Sequence, residues 1–224
     1  MARTVTVQDL VTQVRQRADI ERSQICTDVE IIQYLDKAYS EFYDLIVSRF
    51  ENYYLNSVDL VSSGSNELTL PADFYKLVGV DEGNGTSERR TLKPFNFNER
   101  NKRGCPNEYR YQVRGSVLRI LGGTGGVAPA GLTFTLWYIP APVRVTLAAQ
   151  ILDGYAGWEE FCVLDAAATA VIKQELDPSL LINERERKRA RILQMATDRD
   201  AGMPQRVTDV SELVGHPWDH FGGY

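Results

Sequence analysis

The sequence predicts an α+β protein: a four-helix bundle with an inserted small antiparallel β module (sandwich or partial barrel) and an extended C-terminal tail. Three observations carry this reading. Capping signals open helical periodicity near the N-terminus. Short β-rich runs separated by Gly, Asn, Pro and Ser clusters fill the middle. Helical periodicity returns after Asp153-Gly154. The expected boundaries are 1–54 and 146–200 for the bundle, 55–145 for the β module and 201–224 for the C-terminal arm.

The first helix starts at Thr6, an N-cap residue with Asp9 in the first turn, and places Leu10, Val11, Val14 and Ala18 at helical spacing. Thr27-Asp28-Val29-Glu30 is a stronger start. Its Thr hydroxyl accepts the N3 amide proton and its Glu reaches back to the cap. Ile31, Leu35, Ala38, Phe42, Leu45 and Phe50 follow at steps of three to five, which predicts a long amphipathic helix over about 28–52. Tyr34, Tyr39 and Tyr43 broaden its stripe.

In the middle, Glu67–Pro71, Tyr75–Asp81, Tyr109–Val113, Ser116–Leu121 and Leu132–Pro140 read as strands, the last being the clearest. Gly122–Gly126 reads as a loop between two of them. Trp158, Phe161, Cys162, Leu164 and the Ala-rich run to Ile172 predict a closely packed third helix. Asp177 as N-cap and Pro178 at the first helical position open a fourth, over about 178–200. Leu180, Leu181, Ile192, Leu193 and Met195 supply its apolar face, and Glu184 is placed to pair with Lys188 at i,i+4. The helices on either side of the insertion must meet in space, because otherwise two apolar stripes stay exposed.

Composition bounds the function. The chain has 224 residues, of which 43% are hydrophobic and 25% charged, as expected of a globular protein with a core. No apolar run approaches the roughly 20 residues that span a bilayer. Met1–Asp9 lacks an apolar stretch, so no secretory signal is expected there. Three Cys (Cys26, Cys105, Cys162) without CxxC spacing point away from a disulfide framework or zinc ribbon and towards a reducing compartment. A net charge of −5 argues against tight binding of nucleic-acid phosphates by the whole surface.

Several residues invite chemistry. Gly122–Gly126 lacks the Lys-Ser/Thr of a phosphate-binding loop and opens no helix, so it reads as a turn. His216 and His220 could share a helix face and a metal, but Pro217 between them disfavours that helix. Glu159 and Glu160 could serve a wall-degrading, muramidase-like enzyme. Adjacent helical positions point apart, however, so they read as first-turn acids facing the helix dipole. No Ser/His/Asp or Cys/His set stands out, and neither a cofactor nor a metal is expected. The basic run Arg185, Arg187, Lys188, Arg189, Arg191 could serve a DNA-binding assembly factor. Glu184 and Glu186 interleave it and lower its field, so a solvated or inter-subunit helix face is the better reading. The stretch Ala201–Tyr224 is irregular but rich in large apolar groups, which predicts that it docks on this subunit or a neighbour.

The segment Val14–Leu45, VRQRADIERSQICTDVEIIQYLDKAYSEFYDL, resembles the opening of the head-to-tail adaptor (head completion or connector) proteins of tailed bacteriophages. LPADFYKLVGVD (Leu70–Asp81), LKPFNFNERN (Leu92–Asn101), LWYIPAPVRVT (Leu136–Thr146), LDGYAGWEEFCVLDAA (Leu152–Ala167) and RDAGMPQRVTDV (Arg199–Val210) match in the same order. The resemblance implies a structural, non-enzymatic protein in a homo-oligomeric ring, usually a dodecamer, bound beneath the portal protein at the virion neck. The ring would extend the DNA channel, with genomic DNA passing through without specific binding, and offer a platform to tail or nozzle proteins. Assembly in the host cytoplasm and no membrane partner go with it. In those terms Glu184, Arg185, Arg187, Lys188 and Arg191 would form an inter-subunit helix face. Leu213, Val214, Trp218, Phe221 and Tyr224 would be the portal-binding anchors. The resemblance does not extend over Ser211–Tyr224, so that last assignment stands on side-chain chemistry.

Overall fold

A computed structural model describes residues 5–21, 25–83, 89–99, 108–122, 128–152 and 157–197. Among the described residues the architecture is α+β, with four α-helices and both antiparallel and mixed sheets. Strand β1 (Val5–Thr6) runs directly into α1 (Val7–Arg17), and α2 (Asp28–Arg49) follows, closed by a 3-10 turn at Glu51–Tyr54. The middle holds β2 (Asn56–Val61), β3 (Glu67–Thr69), β4 (Phe74–Gly83), β5 (Arg89–Thr91), β6 (Lys93–Pro94), β7 (Tyr109–Arg114), β8 (Val117–Gly122) and β9 (Thr133–Pro140). Then come β10 (Ile151–Leu152), α3 (Glu159–Lys173) and α4 (Ser179–Thr197).

Both capping boxes form. Asp9 N–H donates to Thr6 Oγ1 and Thr6 N–H returns to the Asp9 carboxylate, each at 3.2 Å. Thr27 and Glu30 repeat the arrangement at the start of α2. Helix α2 ends at Arg49, earlier than its apolar stripe predicts, because the chain tightens into the 3-10 turn that stacks Tyr54 on Tyr43 at 4.2 Å. The helices on either side of the middle region do meet. Leu10, Val14, Ile31, Leu35, Phe42, Phe161, Ala166, Ala170 and Ile192 belong to one buried cluster drawn from all four helices. Alanines 166, 167 and 170 let α3 approach its neighbours closely.

Donation from the Thr backbone N–H and hydroxyl to the carboxylates of these boxes favours their anionic form. Asp9 is held below its ordinary range by the Thr6 hydroxyl and backbone. Glu30 is held below its range by the Lys173 ammonium, which donates to it at 2.6 Å, and by Thr27 N–H. A carboxyl whose pKa is depressed by folding stabilises the fold above its unfolded value and stops doing so as pH falls through the folded value. Stability is therefore expected to fall between about pH 5 and pH 3. In Glu30→Gln that acid limb should be flatter in a series of thermal melts. An unchanged slope would show that Glu30 carries none of it.

The strands form two four-stranded sheets, ordered β2-β9-β4-β5 and β3-β8-β7-β6. β9, the strand most legible in the sequence, is central, with Leu136 opposite both Val58 and Val80. Leu68, Leu118 and Ile120 of one sheet and Val80, Phe134, Leu136 and Tyr138 of the other share a second buried cluster. The expectation of purely antiparallel pairing needs correction, because β6 runs parallel to β7. The stretch from Pro94 to Tyr109 is long enough for the crossover that a parallel pair requires, and Pro94, which cannot donate to a ladder, sits on the edge strand. A small ladder, β1 with β10, was also not foreseen. Two-residue strands leave no alternation to read.

Between β9 and β10 the chain runs back along the helices. Tyr43 Oη donates to Pro140 O at 2.5 Å, Val145 N–H donates to Asp36 Oδ1 at 2.7 Å, and Val7 N–H donates to Gln150 O at 2.9 Å. Tyr43, Val47 and Ile139 form a small third cluster where α2 meets β9.

Candidate subunit interface

Helix α4 carries the charge run Glu184–Arg191, and its buried residues Ile192 and Ala196 define its inward line. Arg185 and Lys188 fall on or beside that line by helical spacing. Arg185 donates to Asp165 of α3 through Nη1 and to Glu186 Oε1 through Nη2, the latter at 2.9 Å. Lys188 Nζ donates to Glu160 Oε2, while Glu160 Oε1 accepts from Arg17 Nη2 at 2.8 Å. Glu184 lies 4.0 Å from Arg17. Glu160 is thus a hub joining α1, α3 and α4. The expected Glu184–Lys188 pair is replaced, because Lys188 turns to α3 and Glu184 to α1. The Arg185 guanidinium beside Glu186 holds that carboxyl below the usual range.

Of the five residues expected on an inter-subunit face, Glu184, Arg185 and Lys188 are therefore engaged within the chain. Arg187 and Arg191 are exposed, and no described residue pairs with either. Partly exposed ion pairs of this kind contribute only about 0–1 kcal/mol each, so their role is to orient α4 more than to hold it.

Two cavities flank α4. One of about 360 Å³ lies between α2 and α4, with Glu41 and Asp44 on one wall and Arg185 and Arg189 on the other. The second, about 200 Å³, is lined by Gly157, Trp158, Glu160, Lys188, Arg191, Ile192 and Met195. At both ends of α4 the expected apolar face departs from the structure. Leu180 is 71% exposed and Met195 45%, so neither belongs to the core. Leu181 packs against the core in place of Leu180. Lys173 Nζ donates to Ile25 O at 2.9 Å and to Glu30, which sets the end of α3 beside the start of α2. Ile25, Val29, Ile172, Leu176 and Leu180 are all exposed at that junction. The sequence held no signal for this patch, because its residues come from segments far apart in the chain that only the fold brings to one junction.

The candidate catalytic acids occupy unlike settings. Glu159 is buried and accepts Gly157 N–H at 2.8 Å, whereas Glu160 is the ion-pair hub. Cys162 is buried, and burial pushes its thiol well up, so it is held as the protonated thiol. Among the described residues no group of His, Cys, Asp and Glu is placed to hold a metal ion, and no helix is long and apolar enough to cross a membrane. Leu213, Val214, Trp218, Phe221 and Tyr224 lie outside the described residues, as do His216, His220, Cys105 and the loop 123–126.

A family model described as SU10 adaptor protein matches residues 5–208. No curated protein matches the chain.

Proposed function

We propose a function from one premise: the chain belongs to the SU10 adaptor protein family. It is a structural adaptor of a bacteriophage virion, and the observation that carries this is a family match running through all four helices and both sheets. In the finer reading, copies form a ring, a dodecamer in the form expected from the sequence, beneath the portal at the virion neck. The ring extends the DNA channel for genome ejection and receives tail or nozzle proteins. The helical segments 1–54 and 146–200 act as a four-helix bundle and ring body, 55–145 acts as an inserted sandwich facing tail components, and 201–224 acts as the arm that grips the portal through Trp218, Phe221 and Tyr224.

The protein has no catalytic role in this reading. Glu159 and Glu160 are tied to a backbone amide and to cations, respectively, in support of structural duties. A DNA-binding role for α4 is disfavoured in the same way, because Arg185, Lys188 and Arg189 already face carboxylates.

The test is co-sedimentation with purified portal rings of the same phage, with stoichiometry read by mass. Saturable binding near one copy per portal subunit is expected. A folded chain that ignores intact portal rings would move the protein to another virion position. Deleting Gly215–Tyr224 is expected to leave a folded protein that no longer joins the portal, and normal joining would remove the arm from that role.

A further inference from the structure

We propose that neighbouring copies of this chain join head to tail along α4, the apolar patch around Leu176 and Leu180 of one copy entering the Trp158–Met195 cavity of the next. The inference rests on the ring reading above and names the two surfaces that such a ring would use.

The patch comes first. Ile25, Val29, Ile172, Leu176 and Leu180 are each more than half exposed, at 52, 65, 56, 59 and 71%. The two hydrogen bonds from Lys173 to Ile25 O and Glu30 gather them at one end of the helices. Single exposed apolar side chains are ordinary, but five of them on the segments that meet at this junction point to a docking surface. The charges there that no cation neutralises are acidic. Lys173 is neutralised by Glu30, whereas Glu175 and Asp177 are exposed with no cation beside them among the described residues.

The receptor is the cavity of about 200 Å³ near the other end of α4. Trp158, Ile192 and Met195 give it apolar walls. Its rim is basic: Glu160 is matched by Lys188 and shared with Arg17, which leaves Arg191 over. Apolar meets apolar and an acidic edge meets a basic one, the arrangement of an interface with an anchored centre and a charged rim.

The occupant is a second copy because one chain cannot bring its own surfaces together. Leu180 and Met195 stand about 22 Å apart along a single helix. Two different patches on one rigid element also define a heterologous contact. The same operation satisfies every copy in turn and generates a closed ring when the rotation closes. Arg187, on the outward side of α4, is left free for other contacts.

The test uses full-length chains with Cys105→Ser as background, since Cys26 and Cys162 are buried. One chain carries Leu180→Cys and the other Met195→Cys, and the two are mixed under mild oxidation, with and without portal rings. A disulfide-linked pair is expected in the mixture and in neither chain alone. No cross-link in the mixture overturns the proposal, and so does a cross-link formed by the Leu180→Cys chain alone, which would mean a two-fold contact. A charge exchange checks the rim. Glu175→Arg and Arg191→Glu should each reduce self-association at least several-fold, and the double variant should recover it. Failure to recover counts against the pairing. Wild-type binding to portal rings without the cross-link would retain the adaptor reading and discard this interface. A cross-link without portal binding would do the reverse.

Discussion

Phe42→Ala is expected to cost about 3–5 kcal/mol, the range for removing a large aromatic side chain from a packed core. Phe42 is 1% exposed, and its ring centre lies 6.3 Å from Tyr39, 6.4 Å from Trp158 and 6.3 Å from Phe161. It therefore joins α2 to α3 across the gap that the whole middle region separates in sequence. Its surroundings are ring faces and edges held by α2 and α3, which cannot collapse into the void. Urea unfolding followed by far-UV circular dichroism measures the loss, and a change below about 1 kcal/mol would mean that the site relaxes. The equivalent residue between the sheets is Phe134, which is fully buried. If 55–145 behaves as an inserted unit, Phe134→Ala should shift a transition that Phe42→Ala leaves in place. One common transition displaced equally by both would make the chain a single cooperative unit.

Gly122→Ala should be the most damaging small substitution in the sheets. Gly122 ends β8 opposite Tyr109 with φ of +130°, and an added Cβ would stand 2.3 Å from Glu108 O. A positive φ of this kind alone costs roughly 1–3 kcal/mol for a residue with a side chain. The contact is with backbone, so no rotamer change relieves it, and the β7–β8 ladder must open at that end. Gly115, in the turn between the same strands, is the control. Its φ is +59°, but nothing stands within 4 Å of a new Cβ. Gly115→Ala should cost about 1 kcal/mol. Equal melting temperatures for the two variants would show that the close approach to Glu108 is not a constraint.

The local signals in the sequence mapped well onto local structure. Thr6 with Asp9 and Thr27 with Glu30 are capping boxes because the motif needs only residues three apart. Asp177 accepts the Ser179 amide at 3.0 Å at the start of α4 for the same reason. Leu132–Pro140 stood out because a strand between two others buries residues along its whole length. The strands that escaped notice are edges or two-residue pieces: β2, β5, β6, β1 and β10. An edge strand needs no continuous apolar face, so it leaves little pattern to find.

The candidate interface was legible only as composition. Glu184, Arg185, Arg187, Lys188 and Arg191 could be named as a charged face, but their partners are distant in sequence. Arg17 and Glu160, which are 143 positions apart, meet across α1 and α3. Glu160, read from the sequence as a first-turn acid, becomes a hub because both cations are brought to it.

By itself, then, the sequence determined the helix starts, the central strand, the absence of a recognisable catalytic motif and the order of segments that mark the family. The helix starts and the central strand are set by residues within a few positions of one another, and the family by short segments in their order along the chain. Only the tertiary structure decided which apolar residues remain outside and which charges are already matched. Leu181 is drawn inward and Leu180 left exposed by the direction in which α4 leaves α3. Arg185 and Lys188 are neutralised while Arg191 is not, because α3 offers carboxylates to one side of α4 alone. Exposure and pairing belong to the packed arrangement, since each depends on surfaces that distant parts of the chain supply.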